Sequence, residues 1–186
     1  MVIPKKSLGQ NFLINQRILD KIVEAAEFEK NDIALEIGPG TGNLTEKLAK
    51  KVKRVIAIEK DRRLIEELKN KFRNTNVEII EGDILKLDLH HSHVIRRLAS
   101  HSYKVVGNIP YYITSNLLRT IFEKWPKPKL IVLTIQKEVA QRIVAKPPHM
   151  NLLALSVQFF AEPKIIGYIS KENFRPRPKV DSAIIK

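Results

Sequence analysis

The chain contains no cysteine, which excludes disulfide bonds and any Cys-based metal site. It also lacks a long apolar run. The longest, Leu130 to Ile135, is far too short to span a bilayer. Met1 to Gln16 holds no apolar h-region, so no secretory signal is read there. The expected setting is cytoplasmic, with no membrane partner. Acidic residues are in deficit: 20 against 33 Lys and Arg, a formal charge of +13. The deficit is uneven, because residues 119–186 carry 13 basic and only 5 acidic side chains. Such a surface points to a polyanion, and the composition favours nucleic acid over a Lys-rich surface kept for solubility or heat tolerance. What is present in ordinary amounts bounds the fold. With 186 residues, 44% hydrophobic and 28% charged, the chain suits one globular domain with a sizeable core, read as a monomer.

Order along the chain follows from periodicity. Lys5 to Leu13 is polar, with two apolar anchors, and reads as an ordered arm covering about residues 1–15. Asn15 suits the cap of a helix whose apolar face is Ile18, Leu19, Ile22, Val23 and Ala26, ended by Asn31-Asp32. Strands follow at Ile33–Ile37, Arg54–Ile58, Val77–Ile80, Tyr103–Val106, Leu130–Ile135, Lys164–Ile169 and Val180–Ile185. Helices are expected from about Leu44 to Lys51, Arg62 to Phe72, Thr114 to the Trp125-Pro126 break, around Val139–Val144, and Leu152–Phe160. Alternating strands and helices without a linker or repeat predict an α/β, Rossmann-like domain.

Three loops at strand ends carry candidate chemistry. Glycine is scarce, seven in all, yet Gly38, Gly40 and Gly42 cluster between a strand and a helix. There they let backbone approach a ligand beside a helix N-terminus. A dinucleotide fingerprint would need glycine where Asn43 stands, so a nucleoside without a pyrophosphate fits better. S-adenosylmethionine is the obvious candidate. Glu59 ends the second strand, 17 residues past Gly42, where such folds hold a ribose diol; the alternative is a cap on the next helix. Asp83 ends the third strand and could accept from an exocyclic adenine amine; the alternative is a turn-forming Asp after Gly82. The third loop is Gly107-Asn108-Ile109-Pro110-Tyr111-Tyr112. An amide beside an aromatic ring is equipped to hold a flat base by its edge and its face. Tyr111 and Phe174 are the candidate stacking rings, whereas Tyr112 is expected to pack. Core packing is the alternative for Phe174. Lys5, Lys6, Arg175, Arg177 and Lys179 would meet RNA phosphates. His90, His91, His93 and His101 resemble a metal cluster, but a polar surface explains them better, and no metal is expected.

These motifs in register resemble the small-subunit rRNA adenine N6-dimethyltransferase family. They are Lys5-Lys-Ser-Leu-Gly-Gln-Asn-Phe-Leu13, Glu36-Ile-Gly-Pro-Gly-Thr-Gly42, Glu59, Gly82-Asp83, Gly107-Asn-Ile-Pro-Tyr111, and Phe174 with Pro178-Lys-Val-Asp-Ser182. The resemblance implies a class I methyltransferase sheet of seven strands, mostly parallel, with the last one reversed and helices on both faces. It implies that Asn11, Leu13, Gly38, Gly40, Glu59, Asp83, Ile84 and Asn108 surround S-adenosylmethionine. It implies transfer of two methyl groups to adenine N6 in small-subunit rRNA, with the small ribosomal subunit precursor as partner. Asn108, Ile109, Pro110, Tyr111 and Phe174 would then form the catalytic centre. Two features depart from the family. Met150-Asn151 stands where a Tyr-Gly pair is usual. The family's following helical domain is missing, so residues 1–186 read as the catalytic domain alone, truncated or minimal. The rival readings are a large-subunit rRNA adenine methyltransferase and a ribosome-assembly RNA binder without catalysis.

Overall fold

The computed structural model describes residues 4–5, 8–86, 98 and 102–186. Its centre is a seven-stranded sheet. In chain order the strands are β2 (Ile33–Ile37), β3 (Arg54–Glu59), β4 (Val77–Glu81), β5 (Tyr103–Asn108), β6 (Leu130–Gln136), β7 (Ile165–Ile169) and β9 (Ser182–Ile185). They lie in the order β4-β3-β2-β5-β6-β9-β7. The pairs from β4 across to β6 are parallel, and β9 runs antiparallel to both its neighbours. The reversed last strand expected from the resemblance is therefore present. Two short strands, β1 (Phe12–Leu13) and β8 (Phe174–Arg175), pair separately.

Successive strand residues face opposite sides, and each side is covered by helices. Ile33, Leu35, Ile37, Ile56, Ile58, Val105, Leu133 and Ile135 belong to one core cluster. It also contains Leu117, Leu118 and Ile121 of α4 (Thr114–Lys124), Ala140 and Ile143 of α5 (Lys137–Ile143), and Val157 of α6 (Leu152–Gln158). Ala34, Val55, Ala57, Val106 and Val132 face the other way, onto α1 (Gln16–Ala25) and α2 (Asn43–Ala49). A third group joins Leu64 and Leu68 of α3 (Arg62–Lys71) to Phe72. Asn15 does cap α1, its side chain accepting from the Arg17 and Ile18 amides. Among the described residues, no helix is long and apolar enough to cross a membrane.

Three expectations change. The first helix ends at Ala25 rather than at Asn31-Asp32. Asp32 is instead buried against Lys104, 2.7 Å away, at the amino edge of the sheet. The last strand begins at Ser182, because Asp181 turns its carboxylate onto the Lys171 amide and Val180 is exposed. Tyr112 is 59% exposed, because the 3-10 turn Tyr111–Ile113 directs Ile113 inward and Tyr112 outward. His90, His91, His93 and His101 lie outside the described residues, as does Lys6.

Candidate active site

A cavity opens at the carboxyl edge of the parallel strands, where open α/β sheets bind ligands. Asn11, Leu13, Gly38, Gly40, Glu59, Asp83, Ile84, Asn108, Ile109, Pro110, Tyr111 and Phe174 all line it. The sheet brings these together from six separate stretches of chain. Lys5, Arg175, Arg177 and Lys179 are exposed and outside the cavity wall. Arg175 donates to the Glu172 and Phe174 carbonyls, and Arg177 pairs with Glu172 at 2.7 Å.

The glycine loop owes its shape to its composition. Gly38, Gly40 and Gly42 all have positive φ, a region that side chains disfavour. At Gly38 a Cβ would meet nothing within 4 Å, so the backbone is open to a ligand. At Gly40 a Cβ would fall 2.9 Å from the Phe12 ring, which lies across the loop. The Gly40 amide donates to Glu59 Oε2 at 3.1 Å. Glu59 Oε1 accepts from the Lys60 and Asp61 amides at 2.9 and 2.8 Å. The side chain thus ties two loops together. Burial raises the Glu59 pKa, and these three backbone donors only partly offset it.

Asp83 also makes local contacts. Its Oδ2 pairs with Lys60 at 2.9 Å and its Oδ1 accepts from the Leu85 amide at 3.1 Å, an Asx turn. Burial opposes ionisation of Asp83, and the Lys60 and Leu85 bonds outweigh it, holding the carboxyl low.

Glu36 is a wall residue that sequence reasoning passed over as a candidate. It is 1% exposed, on the second-last position of β2, and Oε2 has no hydrogen-bond partner among the described residues. Burial pushes its carboxyl up to about 8. The Thr45 hydroxyl pulls the other way, and it too has no hydrogen-bond partner among the described residues. The available signal was an acid inside the otherwise apolar run Ile33-Ala-Leu-Glu-Ile37.

The arm closes over the opposite wall. Leu8 to Leu13 all line the cavity. Gln10 donates to Asp61 Oδ2 at 2.8 Å, and Asp61 also binds Arg63. The arm then pairs with β8, Phe12 opposite Arg175 and Leu13 opposite Phe174. The Ile14 amide and the Asn15 side chain both bind Asn173. Phe174 is 1% exposed and packs with Leu13 and Leu19 in the core while still touching the cavity.

Asn108 is the last residue of β5, level with Thr134 of β6. Its Nδ2 donates to the Asn11 carbonyl at 2.9 Å, across 97 residues of sequence. Only the NH2 half of a carboxamide can face a carbonyl, so Oδ1 is directed elsewhere. Oδ1 accepts no hydrogen bond among the described residues. Pro110 precedes the 3-10 turn, closed by the Ile113 amide donating to the Pro110 carbonyl at 2.9 Å. The Tyr111 hydroxyl lies 3.1 Å from Ser182 Oγ. The site therefore offers a glycine-lined wall, two buried acids, a free carboxamide oxygen and an anchored ring.

Known proteins resemble this chain in sequence and fold. The family model described as ribosomal RNA adenine dimethylase matches residues 3–186. A ribosomal RNA small subunit methyltransferase A of Dehalococcoides mccartyi (strain CBDB1) is 45% identical over 98% of this chain and 62% of its own length. One from Mycoplasmopsis synoviae (strain 53) is 47% identical over 97% of this chain and 68% of its own. Among solved structures, a dimethyladenosine transferase from Plasmodium falciparum superposes with a TM-score of 0.82 at 37% identity, covering 94% of this chain and 62% of that one. The 23S rRNA methyltransferase ErmE superposes at 0.80 and 29% identity, covering 94% and 68%. The chain thus spans about 62% of the Dehalococcoides relative's length. On the family match over residues 3–186 and these identities, the chain belongs to the ribosomal RNA adenine dimethylase family.

Proposed function

We propose that residues 1–186 are the catalytic domain of an S-adenosylmethionine-dependent enzyme that dimethylates adenine N6 in small-subunit rRNA during ribosome biogenesis. The observation that carries this reading is the Asn108 carboxamide, tied by its NH2 to the Asn11 carbonyl with Oδ1 left free.

The cofactor suits the residues present. Gly38 leaves open space beside the backbone, and Glu36 keeps an orphaned buried oxygen in the same wall. Buried acids without a basic partner suit a ligand that carries positive charge. Gly38, Gly40, Glu59, Asp83, Ile84, Asn11 and Leu13 would hold it. When bound, S-adenosylmethionine supplies a methyl group already made electrophilic by its sulfonium.

The protein's task is then to prepare the amine. Adenine N6 is a weak nucleophile because its lone pair is delocalised into the ring. Asn108 Oδ1 and the Ile109 carbonyl would accept its two N–H groups and favour a pyramidal nitrogen. Pro110 restrains the turn, and Tyr111 would stack on the base, worth about 1–3 kcal/mol. Phe174, buried as it is, would act by bracing Leu13 and the cavity wall. This is positioning and electrostatics, with no general base required. The added methyl makes the remaining proton acidic, so water can take it. Lys5, Arg175, Arg177 and Lys179 would carry rRNA phosphates beside the cavity. A ribosomal substrate goes with a cytoplasmic location.

Asn108→Ala is expected to lower methylation of undermodified small subunits at least about 100-fold, the scale for losing one preorganised polar group. Cofactor affinity should stay within about threefold of the unmodified protein. Near-normal turnover would defeat the proposal. The likeness to ErmE supports large-subunit rRNA as a second reading. Methyl transfer to the separated rRNAs decides between the two.

A further inference from the structure

Tyr111 is a tyrosine where stacking alone would need only a ring. Its hydroxyl is explained by a residue from the far end of the chain. Ser182 is 0% exposed, and its Oγ lies 3.1 Å from the Tyr111 hydroxyl. It is the one hydroxyl in β9, whose sequence is Ser-Ala-Ile-Ile. An apolar residue would suit this fully buried position, since an unbonded hydroxyl there costs about 1–3 kcal/mol.

The topology accounts for the meeting. The parallel strands deliver their last residues to the carboxyl edge. Reversed β9 delivers its first residue there, so Ser182 stands opposite Gln136 at the end of β6. Asn108 ends β5 on the same edge, and the turn beyond it presents Tyr111 to Ser182. The ring is thereby held at both ends. One hold is the 3-10 turn closed by the Ile113 amide on the Pro110 carbonyl, and the other is the hydroxyl on Ser182.

We infer that Ser182 is a positioning residue: it holds the Tyr111 hydroxyl so that the ring face is fixed beside Asn108 before a base arrives. This rests on the function proposed above and adds a residue to it. A ring fixed in advance loses little freedom when the base stacks, and a fixed base keeps N6 in line with the acceptors. Ser182 touches neither the base nor the cofactor in this reading and acts only through Tyr111.

The test is a double-mutant cycle in the full-length protein, with methylation of undermodified small subunits as the assay. Ser182→Ala and Tyr111→Phe should each lower kcat about 10-fold, a loss on the scale of misplaced reactants. The KM for S-adenosylmethionine should not move. The double variant should be no slower than either single one, within about twofold. Tyr111→Phe removes the same bond without touching the core, so it serves even where Ser182→Ala folds poorly. Multiplied losses in the double variant would overturn the inference, as would a normal kcat in Tyr111→Phe. Tyr111→Ala separates the two layers. If it is inactive while Tyr111→Phe is normal, only the role of Ser182 fails. If Tyr111→Ala is itself fully active, the base-holding loop of the proposed function fails.

Discussion

At the amino edge of the sheet, Asp32 is buried with Lys104, their charged atoms 2.7 Å apart. The Lys104 ammonium also donates to the Glu27 carbonyl and lies 5.5 Å from the Phe28 ring centre. At the carboxyl edge, Glu36 and Glu59 are buried with no ion-pair partner among the described residues. Glu59 is held by backbone amides, and Glu36 keeps an oxygen with no hydrogen-bond partner among those residues. Burial acts on all of these acids in the same direction. At Asp32 the Glu29 amide and Lys104 outweigh it and the pKa falls. At Glu36 nothing outweighs it and the pKa rises to about 8. The same strand, β2, starts at a closed ion pair and ends at an open acid. A satisfied buried charge builds the fold, whereas an unsatisfied one at a cavity is what a ligand can complete.

That contrast can be broken at either edge. The largest effect is expected at Lys104→Met. Removing one partner strands a buried carboxylate, and stability should fall by about 3–5 kcal/mol in urea denaturation, with cofactor affinity per folded molecule unchanged. A loss below about 1 kcal/mol would mean that the amino edge is no more closed than the other. Next comes Glu59→Ala. Cofactor affinity should weaken about 10- to 100-fold by calorimetry, the scale of one or two lost hydrogen bonds to a charged group. Unchanged affinity would remove Glu59 from the ligand wall.

The last test concerns Glu36 and pH. Its folded pKa lies above its ordinary value, so the folded state binds the extra proton. The sign follows: stability without ligand should fall as pH rises from about 5 to about 8. The slope from this group is at most about 1.4 kcal/mol per pH unit. Glu59 is shifted the same way, and Lys71 opposes the shift at Glu36. Glu36→Gln should therefore flatten part of the slope. Denaturation midpoints measured across that range check it, and an unaltered slope would mean that Glu36 is ionised in the folded protein.

Much of this was legible beforehand. The short apolar runs in Ile33–Ile37 and Arg54–Ile58 mark strands, and both are observed, buried on both faces. The positive φ values at Gly38, Gly40 and Gly42 answer to the only residue that takes them freely. Glu59, Asp83 and Asn108 sit at strand ends because a parallel sheet sends every such end to one edge. Other features follow from contacts too distant in sequence to read. Phe12 pairs with Arg175, and Asn11 orients Asn108, yet neither segment carries a periodic signal for its partner. Tyr112, expected to pack, is exposed because the 3-10 turn that follows Pro110 points it outward.

Local pattern by itself determined the strands of the central sheet, their order along the chain and the residue types at their ends, because steric limits and side-chain periodicity act over a few residues. The tertiary structure decided what those residues face. It closed the arm over the cavity, buried Phe174, left Glu36 Oε2 without a hydrogen-bond partner among the described residues and set Ser182 under Tyr111. Each of those outcomes depends on strand order and on the reversal of β9, which bring together atoms that no local rule relates.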